Sequence, residues 1–133
     1  MTTSRRALVL LAHGSPDPEW MAPIDGAAAR IKALAADVDV AIATLEASHA
    51  SLDAAVDALA GAGHRSITIV ALFLSPGGRH IKRDIPDLVA AAQAARPGLE
   101  LRLVPGALGN DPQVLDALAR AALAQARGEP TAR

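Results

Sequence analysis

The sequence contains no cysteine. This absence excludes disulfides, thiolate metal sites and cysteine nucleophiles together, so histidines and carboxylates remain to bind a transition metal. Aromatic residues are almost as scarce, because Trp20 and Phe73 are the complete set. We therefore expect stacking surfaces for bases or flat ligands to come mostly from elsewhere in the chain, and the core to consist of Ala, Val, Leu and Ile.

The charges are nearly balanced. The 133 residues have a formal net charge of -1, and 20% of them are charged, which favours neither disorder nor nucleic-acid binding. This length predicts one domain, which we place at residues 1–127, followed by a frayed tail at 128–133.

Long hydrophobic runs are also missing. No apolar run approaches the length of about 18 residues that a membrane span needs. The run Ala7–Ala12 follows Arg5 and Arg6 as in an export signal, but it ends at His13 and is too short for one. We predict a cytoplasmic protein without membrane or nucleic-acid partners.

Strand and helix patterns alternate along the chain. Short apolar runs predict strands, and apolar residues at three- and four-residue spacing predict helices. The predicted strands are Ala7–Ala12, Val38–Leu45, Ile67–Leu74 and Leu99–Val104, and the predicted helices are Ile24–Ala36, Leu52–Ala62, Ile85–Ala95 and Val114–Ala126. Asp111 followed by Pro112 predicts an N-cap and first helical position before the last helix, and Asp84 can cap the helix that begins near Ile85. Right-handed crossovers then give an α/β fold, a three-layer α/β/α sandwich around a mostly parallel four-stranded sheet. We predict flavodoxin-like winding with strand order 2-1-3-4.

Two histidines follow neighbouring strands of this predicted sheet. His13 comes directly after the first strand, and His80 follows the third strand and the turn at Gly77 and Gly78. In such sheets ligands bind beyond the carboxyl ends of the strands, so both imidazoles can face one cleft. Paired imidazoles suit a site that holds Co²⁺, Ni²⁺ or Fe²⁺ loosely and also accepts protons. Each histidine alone can also be a loop residue or a helix cap.

Glu46 ends the second strand at the same edge and would complete a set of two histidines and one carboxylate. Such a set with open positions suits a divalent first-row metal, although Glu46 can also be a solvated strand-end residue. His49 competes for the same role, but its place just before a helix favours capping or exposure. For His64, at the opposite edge, we expect a structural role.

Basic side chains surround the second histidine, and Arg79 in particular is placed to pair with carboxylates of an anionic ligand. For Lys82 and Arg83 we favour solvated positions. Ser15 can either contact a ligand or cap a turn. No GxxxxGK[ST] loop, GxGxxG or GxSxG motif is present, so the sequence does not indicate nucleotide use or an α/β-hydrolase.

Three segments of the sequence resemble the CbiX/SirB family, which are small class II chelatases that insert cobalt or iron into sirohydrochlorin. They read LLAHGSPDPEW at the end of the first strand, LEASHASLDAAVDAL across the second strand and helix, and VALFLSPGGRHIKRDIPDLV through the third. The resemblance runs over about residues 7–95. It implies a chelatase-like fold in which His13 and His80 bind the metal and assist deprotonation of the pyrrole nitrogens.

The resemblance also implies a reaction. Glu46 matches the acidic position of the family, while Ser15, Gly78 and Arg79 are the residues expected to contact the substrate. The predicted activity is that of a lyase that inserts a divalent metal into an anionic sirohydrochlorin-type tetrapyrrole without ATP, with Co²⁺ favoured over Fe²⁺ or Ni²⁺. A single module of this kind is expected to form a homodimer.

Two other functions are consistent with the same sequence. The first is a non-catalytic protein of this fold that binds a metal or a tetrapyrrole without turnover. The second is a histidine phosphatase, which also places a His-Gly pair after its first strand. Such an enzyme needs an arginine in its phosphate site at the position that Ala12 occupies here, so the phosphatase is the less favoured of the two.

Overall fold

The computed structural model describes residues 5–46, 49–75, 77–78 and 80–129, including every side chain in these ranges except those of residues 80 and 81. Within them, strands and helices alternate along the chain. The strands are β1 (Arg6–Ala12), β2 (Val38–Thr44), β3 (Ser66–Ala71) and β4 (Glu100–Leu103). The helices are α1 (Pro18–Leu34), α2 (Leu52–Gly61), α3 (Ile85–Ala94) and α4 (Pro112–Ala126), with a π-helical turn at His80–Asp84 and a 3-10 turn at Leu108–Asn110.

The four strands form one parallel sheet with the order β2-β1-β3-β4. In the centre of the sheet Val9 of β1 lies between Ala41 of β2 and Ile69 of β3. The predicted α/β class, the parallel sheet and the strand order are confirmed. This order makes β1 and β3 neighbours, so the chain segments that leave their carboxyl ends start side by side.

The main core lies between one face of the sheet and the helices α2 and α3. Every second residue of β1 and of β3 points into it, as a strand that packs on one face requires. Its fully buried members are Val9, Leu11, Ala43, Val56, Ile67, Ile69 and Ile85, and all of them are aliphatic as predicted. Helix α1 covers the other face over β1 and β2, where it buries Met21 and Ala28.

Helix α4 differs from the other three helices because none of its residues is buried. It packs mainly against the 3-10 turn that precedes it. Its start was predicted correctly, since the Asp111 side chain accepts a hydrogen bond from the Gln113 N–H at 2.8 Å and Pro112 occupies the first turn. None of the helices in the described part of the chain combines the length and the hydrophobicity needed to cross a membrane.

Two predicted boundaries and one predicted helix cap were wrong. Helix α1 begins at Pro18 and not at Ile24, because Asp17 caps it by accepting a hydrogen bond from the Glu19 N–H at 2.9 Å. Strand β3 ends at Ala71, and the apolar residues after it leave the sheet. We also expected Asp84 to cap α3, but its backbone is helical and its side chain makes no cap hydrogen bond, since the π-helical turn runs directly into α3.

The single domain over residues 1–127 and the frayed tail at 128–133 stay predictions. Residues 130–133 of that tail lie outside the described residues.

Candidate metal and tetrapyrrole site

The segments that follow β1, β2 and β3 meet at the carboxyl edge of the sheet. Backbone pairing continues past the strand ends, because the Glu46 N–H donates to the His13 carbonyl at 2.9 Å. On the other side of β1, the Leu72 N–H donates to the Leu11 carbonyl at 2.8 Å. The backbone at His13 is thereby held between its two neighbours, which is the position predicted from the sequence.

The two nitrogens of the His13 imidazole face different neighbours. Its Nδ1 lies 3.1 Å from the Gly14 carbonyl oxygen. A carbonyl can only accept, so this hydrogen bond requires a proton on Nδ1 and makes Nε2 the nitrogen that can bind a metal. Gly14 has a φ of 91°, a left-handed conformation that favours glycine. Metal-binding histidines are commonly oriented by this kind of second hydrogen bond.

Glu46 approaches the other nitrogen of His13. Its Oε1 lies 3.8 Å from His13 Nε2, and the two side chains are 59% and 40% exposed. Two ligand atoms that each lie about 2.0 to 2.2 Å from one ion are about 3 to 4 Å apart, so this pair can share a metal. Among the described side chains, no group of three His, Asp or Glu residues that could hold a metal is present. The described part of the site thus offers two candidate ligand atoms, one from each side chain.

Thr44 holds the loop that carries Glu46, and sequence reasoning missed it. This buried residue at the end of β2 donates a hydrogen bond from its hydroxyl to the Glu46 carbonyl. The same hydroxyl accepts one from the His49 N–H at 3.3 Å. A polar residue that closes an apolar strand was the available signal, because buried hydroxyls almost always have partners.

A cleft of about 470 Å³ opens beside His13. One wall comes from α1 and the end of β1, and the other comes from the segment that follows β3. Its lining residues are Ala12, His13, Trp20, Pro23, Ile24, Leu72, Phe73, Leu74, Ser75, Gly77 and Gly78. Most of these side chains are apolar, so the cleft suits a ligand with a largely apolar body and a few polar groups. The size is that of an ordinary small-molecule site.

A family model for CbiX matches residues 7–125 of the chain. The chain belongs to the CbiX family. A solved CbiX protein from Marinobacter aquaeolei VT8 is 28% identical to it with a TM-score of 0.81, and the match covers 93% of this chain and 99% of that one. No curated protein sequence matches the chain.

Two solved structures of larger proteins share the fold of this CbiX chain. The sirohydrochlorin chelatase SirB from Bacillus subtilis subspecies spizizenii, in complex with cobalt, has a TM-score of 0.74 and 24% identity over 87% of this chain. SirB from Bacillus subtilis with Fe³⁺ has a TM-score of 0.73 and 22% identity, again over 87% of this chain. The matches cover only 49% and 45% of the two SirB chains, so the CbiX chain spans about half their length.

The remaining predicted site residues lie near the segment after β3. Gly78 lines the cleft with a φ of 91° and accepts a hydrogen bond from the Lys82 N–H at 3.2 Å. The backbone of His80 begins the π-helical turn, a type of turn that is frequent at functional sites, while its side chain lies outside the described part. Arg79 lies outside the described residues. Ser15 caps a turn by accepting from the Asp17 N–H at 3.1 Å, and its contact with substrate stays a prediction.

The other two histidines of the CbiX chain do not line the cleft. His49 Nε2 lies 3.4 Å from Asp25 Oδ1 of α1. His64 is buried at the opposite edge of the sheet, where its Nε2 lies 2.7 Å from Asp39 Oδ2, in agreement with the predicted structural role. The hydrogen-bonded Arg5 guanidinium holds the pKa of Asp39 well below its usual range, and His64 lowers this pKa further.

Both aromatic residues of the chain lie at the cleft, since Trp20 and Phe73 line it. Whether stacking surfaces come mostly from other residues stays a prediction. Phe73 also packs against the core, whereas Trp20 is 62% exposed. Composition counts how many aromatic residues a chain has, but only the path of the chain decides whether they lie together.

Proposed function

We propose that this protein inserts a divalent metal into a sirohydrochlorin-type tetrapyrrole without ATP, with Co²⁺ favoured and Fe²⁺ or Ni²⁺ as the alternatives. The observation that carries the proposal is the separation of 3.8 Å between His13 Nε2 and Glu46 Oε1 beside an apolar cleft. Membership of the CbiX family and the shared fold with SirB, a sirohydrochlorin chelatase solved with cobalt and with Fe³⁺, support it.

The proposed site binds the metal through His13, Glu46 and His80. Nitrogen and carboxylate ligands of this kind suit first-row divalent ions. Because the described part of the site is exposed and offers two ligand atoms, it would hold the ion weakly enough to release it. Ser15, Gly78 and Arg79 would contact the substrate, and the carboxylates of an anionic macrocycle would pair with the Arg79 guanidinium.

Insertion exchanges one metal ion for two protons. The two pyrrole N–H bonds break, the four ring nitrogens bind the metal, and the two protons leave, so that charge balances. A histidine nitrogen that binds the metal has no lone pair for a proton. As the metal passes to the macrocycle, Nε2 of His13 becomes free and can accept a proton from the ring. His80 would take the second proton in the same way.

The test is anaerobic mixing of protein, Co²⁺ and sirohydrochlorin, followed by absorbance. The protein should accelerate insertion over the uncatalysed rate, and His13→Ala and His80→Ala should each abolish this acceleration with an unchanged far-ultraviolet circular dichroism spectrum. His49→Ala is the matched control, since it removes an imidazole that does not line the cleft. No acceleration by the wild type would favour a non-catalytic binder, and full activity in either variant would contradict the assigned role.

We also propose that the protein forms a homodimer through α4. The outer residues of this helix, Leu115, Leu118 and Leu123, are 51%, 48% and 50% exposed. The sheet face beside β3 is also incompletely covered, because Thr68 and Val70 are only partly buried. In a dimer, the leucines of α4 in one chain would cover the sheet face beside β3 of the other chain. Each chain would thereby bury both surfaces. Two such helices, each about 22 Å long, would bury on the order of 1,000 Å², which is near the minimum for a specific interface.

Light scattering after size-exclusion chromatography tests this arrangement. The wild type should have the mass of a dimer, and Leu118→Glu should shift it towards the monomer, because a charge would be buried in the interface. Leu34→Glu is the control, since Leu34 is 86% exposed and belongs to α1, which is not part of the proposed interface. A monomeric wild type would reject the proposal. The cytoplasmic location stays a prediction.

A further inference from the structure

Trp20 is a large apolar side chain that the core of this protein does not use. It is 62% exposed, and the core is built from Ala, Val, Leu, Ile and Met. Burying a tryptophan normally contributes more than burying any other side chain, because it offers the largest apolar area. Here the only tryptophan stands at the border of the cleft that contains His13. Packing within the described chain therefore does not explain its position.

The start of α1 places this side chain firmly. Asp17 caps the helix through the Glu19 N–H, and the Trp20 N–H donates to the Asp17 carbonyl at 3.1 Å. Trp20, Pro23 and Ile24 are spaced by three and four residues, so they share one face of the helix, and all three line the cleft. The indole is thus carried by a rigid element and not by a mobile loop.

The wall opposite the Trp20 face is apolar as well. Leu72, Phe73 and Leu74 form it after they leave β3, and Leu74 is 61% exposed. A flat, conjugated ring that enters between the two walls would contact the indole on one side and the Leu72–Leu74 segment on the other. His13 lies in the same cleft, so a ring held in this way would have its nitrogens near the metal ligands.

We infer that Trp20 is the stacking platform for the macrocycle and determines how tightly it binds. This inference rests on the proposed function. The indole face attracts a conjugated ring by dispersion and by its quadrupole, and it tolerates variation of the peripheral groups because every such ring has a π-face. Trp20 thereby selects for flat conjugated substrates, while charged residues at the edge recognise their carboxylates.

Three variants test the inference. Trp20→Leu keeps an apolar side chain but removes the π-face, Trp20→Phe restores an aromatic ring, and Leu34→Ala is the control because it shortens an exposed apolar residue at the far end of α1. Two measurements are made anaerobically on each protein. Absorbance titration with metal-free sirohydrochlorin gives the Kd of the macrocycle. The rate of Co²⁺ insertion at varied sirohydrochlorin concentration gives kcat and the KM for sirohydrochlorin.

We expect Trp20→Leu to raise Kd and KM about tenfold, which is within the usual range for loss of one stacking contact. We expect kcat to change by less than about twofold, because Trp20 would stabilise the bound substrate and the transition state equally. Trp20→Phe should recover most of the loss, and Leu34→Ala should match the wild type. Circular dichroism should show that all variants are folded, since neither substituted side chain belongs to the core.

The outcomes separate the inference from the proposed function. If the wild type neither binds nor metallates sirohydrochlorin, the proposed function fails and the platform fails with it. If the wild type does both while Trp20→Leu keeps its Kd and KM, the platform is overturned and the metal site stands. A fall in kcat with unchanged Kd would also overturn it, because a stacking platform acts on binding.

Discussion

Gly109 lies where two loops at the carboxyl edge of the sheet pass in contact. A Cβ atom at this position would be 1.5 Å from the Leu74 carbonyl oxygen and 2.4 Å from its carbonyl carbon. The backbone φ of Gly109 is not in the left-handed region, so alanine is allowed there by conformation and is excluded only by its neighbours. We predict that Gly109→Ala pushes the loop after β4 away from the segment that lines the cleft.

The size of the effect follows from that distance. Ordinary van der Waals contact begins at 3.4 Å, so the two backbones must separate by about 2 Å. The Gly109 N–H also donates to the Phe73 carbonyl at 3.4 Å, and this weak hydrogen bond would be lost. Overpacking of this kind costs about 1 to 3 kcal/mol. Substituting glycine lowers the entropy of the unfolded chain and offsets about 0.4 to 1 kcal/mol of this cost.

Urea unfolding followed by circular dichroism measures the difference. For a net loss of about 1.3 kcal/mol and a slope of about 1.5 kcal/mol per molar urea, the midpoint should fall by about 0.9 M. Gly98→Ala is the matched control, because nothing lies within 4 Å of its added Cβ, and it should stay within about 0.5 kcal/mol of the wild type. Equal midpoints for Gly109→Ala and Gly98→Ala would refute the close approach of the two loops.

Three further predictions concern the site and the opposite edge of the sheet. Glu46→Gln should lower metal insertion less than loss of a histidine does, because water can replace one ligand in an open site, and the metallation assay measures this. Thr44→Val should cost about 1 to 2 kcal/mol in urea unfolding and Thr44→Ser much less, since only valine removes the buried hydroxyl that pairs with the Glu46 carbonyl and the His49 N–H. Arg5 and His64 hold the folded-state pKa of Asp39 below its ordinary value of 3.8, so its contribution to stability is complete above about pH 4 and is lost on acidification. Asp39→Asn should therefore lose less stability than the wild type between about pH 4 and pH 2, and parallel losses in urea midpoints would contradict this.

Much of the fold could be predicted because its rules act over short stretches of chain. Apolar runs mark β1 and β3, and a three- and four-residue spacing marks α2. The start of α1 was predicted too late, at the first residue of the apolar spacing. Asp17 and Pro18 are a typical N-cap and first helical residue, and they mark the true start. Strand β3 was predicted too long because the residues after it are apolar for another reason, namely that they line the cleft.

Some features of the candidate site were likewise predictable from the sequence, and others were not. The meeting of His13 and Glu46 was predictable, since parallel strands bring their carboxyl ends to one edge and both residues follow such ends directly. The sequence left open whether Ser15 caps a turn, and its hydrogen bond from the Asp17 N–H shows that it does, while its contact with substrate stays a prediction. Thr44 was missed because its position at the end of an apolar strand indicates burial, but the two partners of its hydroxyl appear only in the folded loop.

The sequence by itself determined the order of the strands and the sheet edge at which the candidate site residues lie. Both follow from hydrophobic periodicity and from right-handed crossovers, which do not depend on contacts between distant parts of the chain. Only the tertiary structure decided what lies beside His13. In the folded chain, Trp20 and Phe73, which are far apart in the sequence, line one cleft, and the backbone of Gly109 lies close to the Leu74 carbonyl group. Such placements depend on how loops from separate crossovers pack together, and that packing is a property of the whole chain.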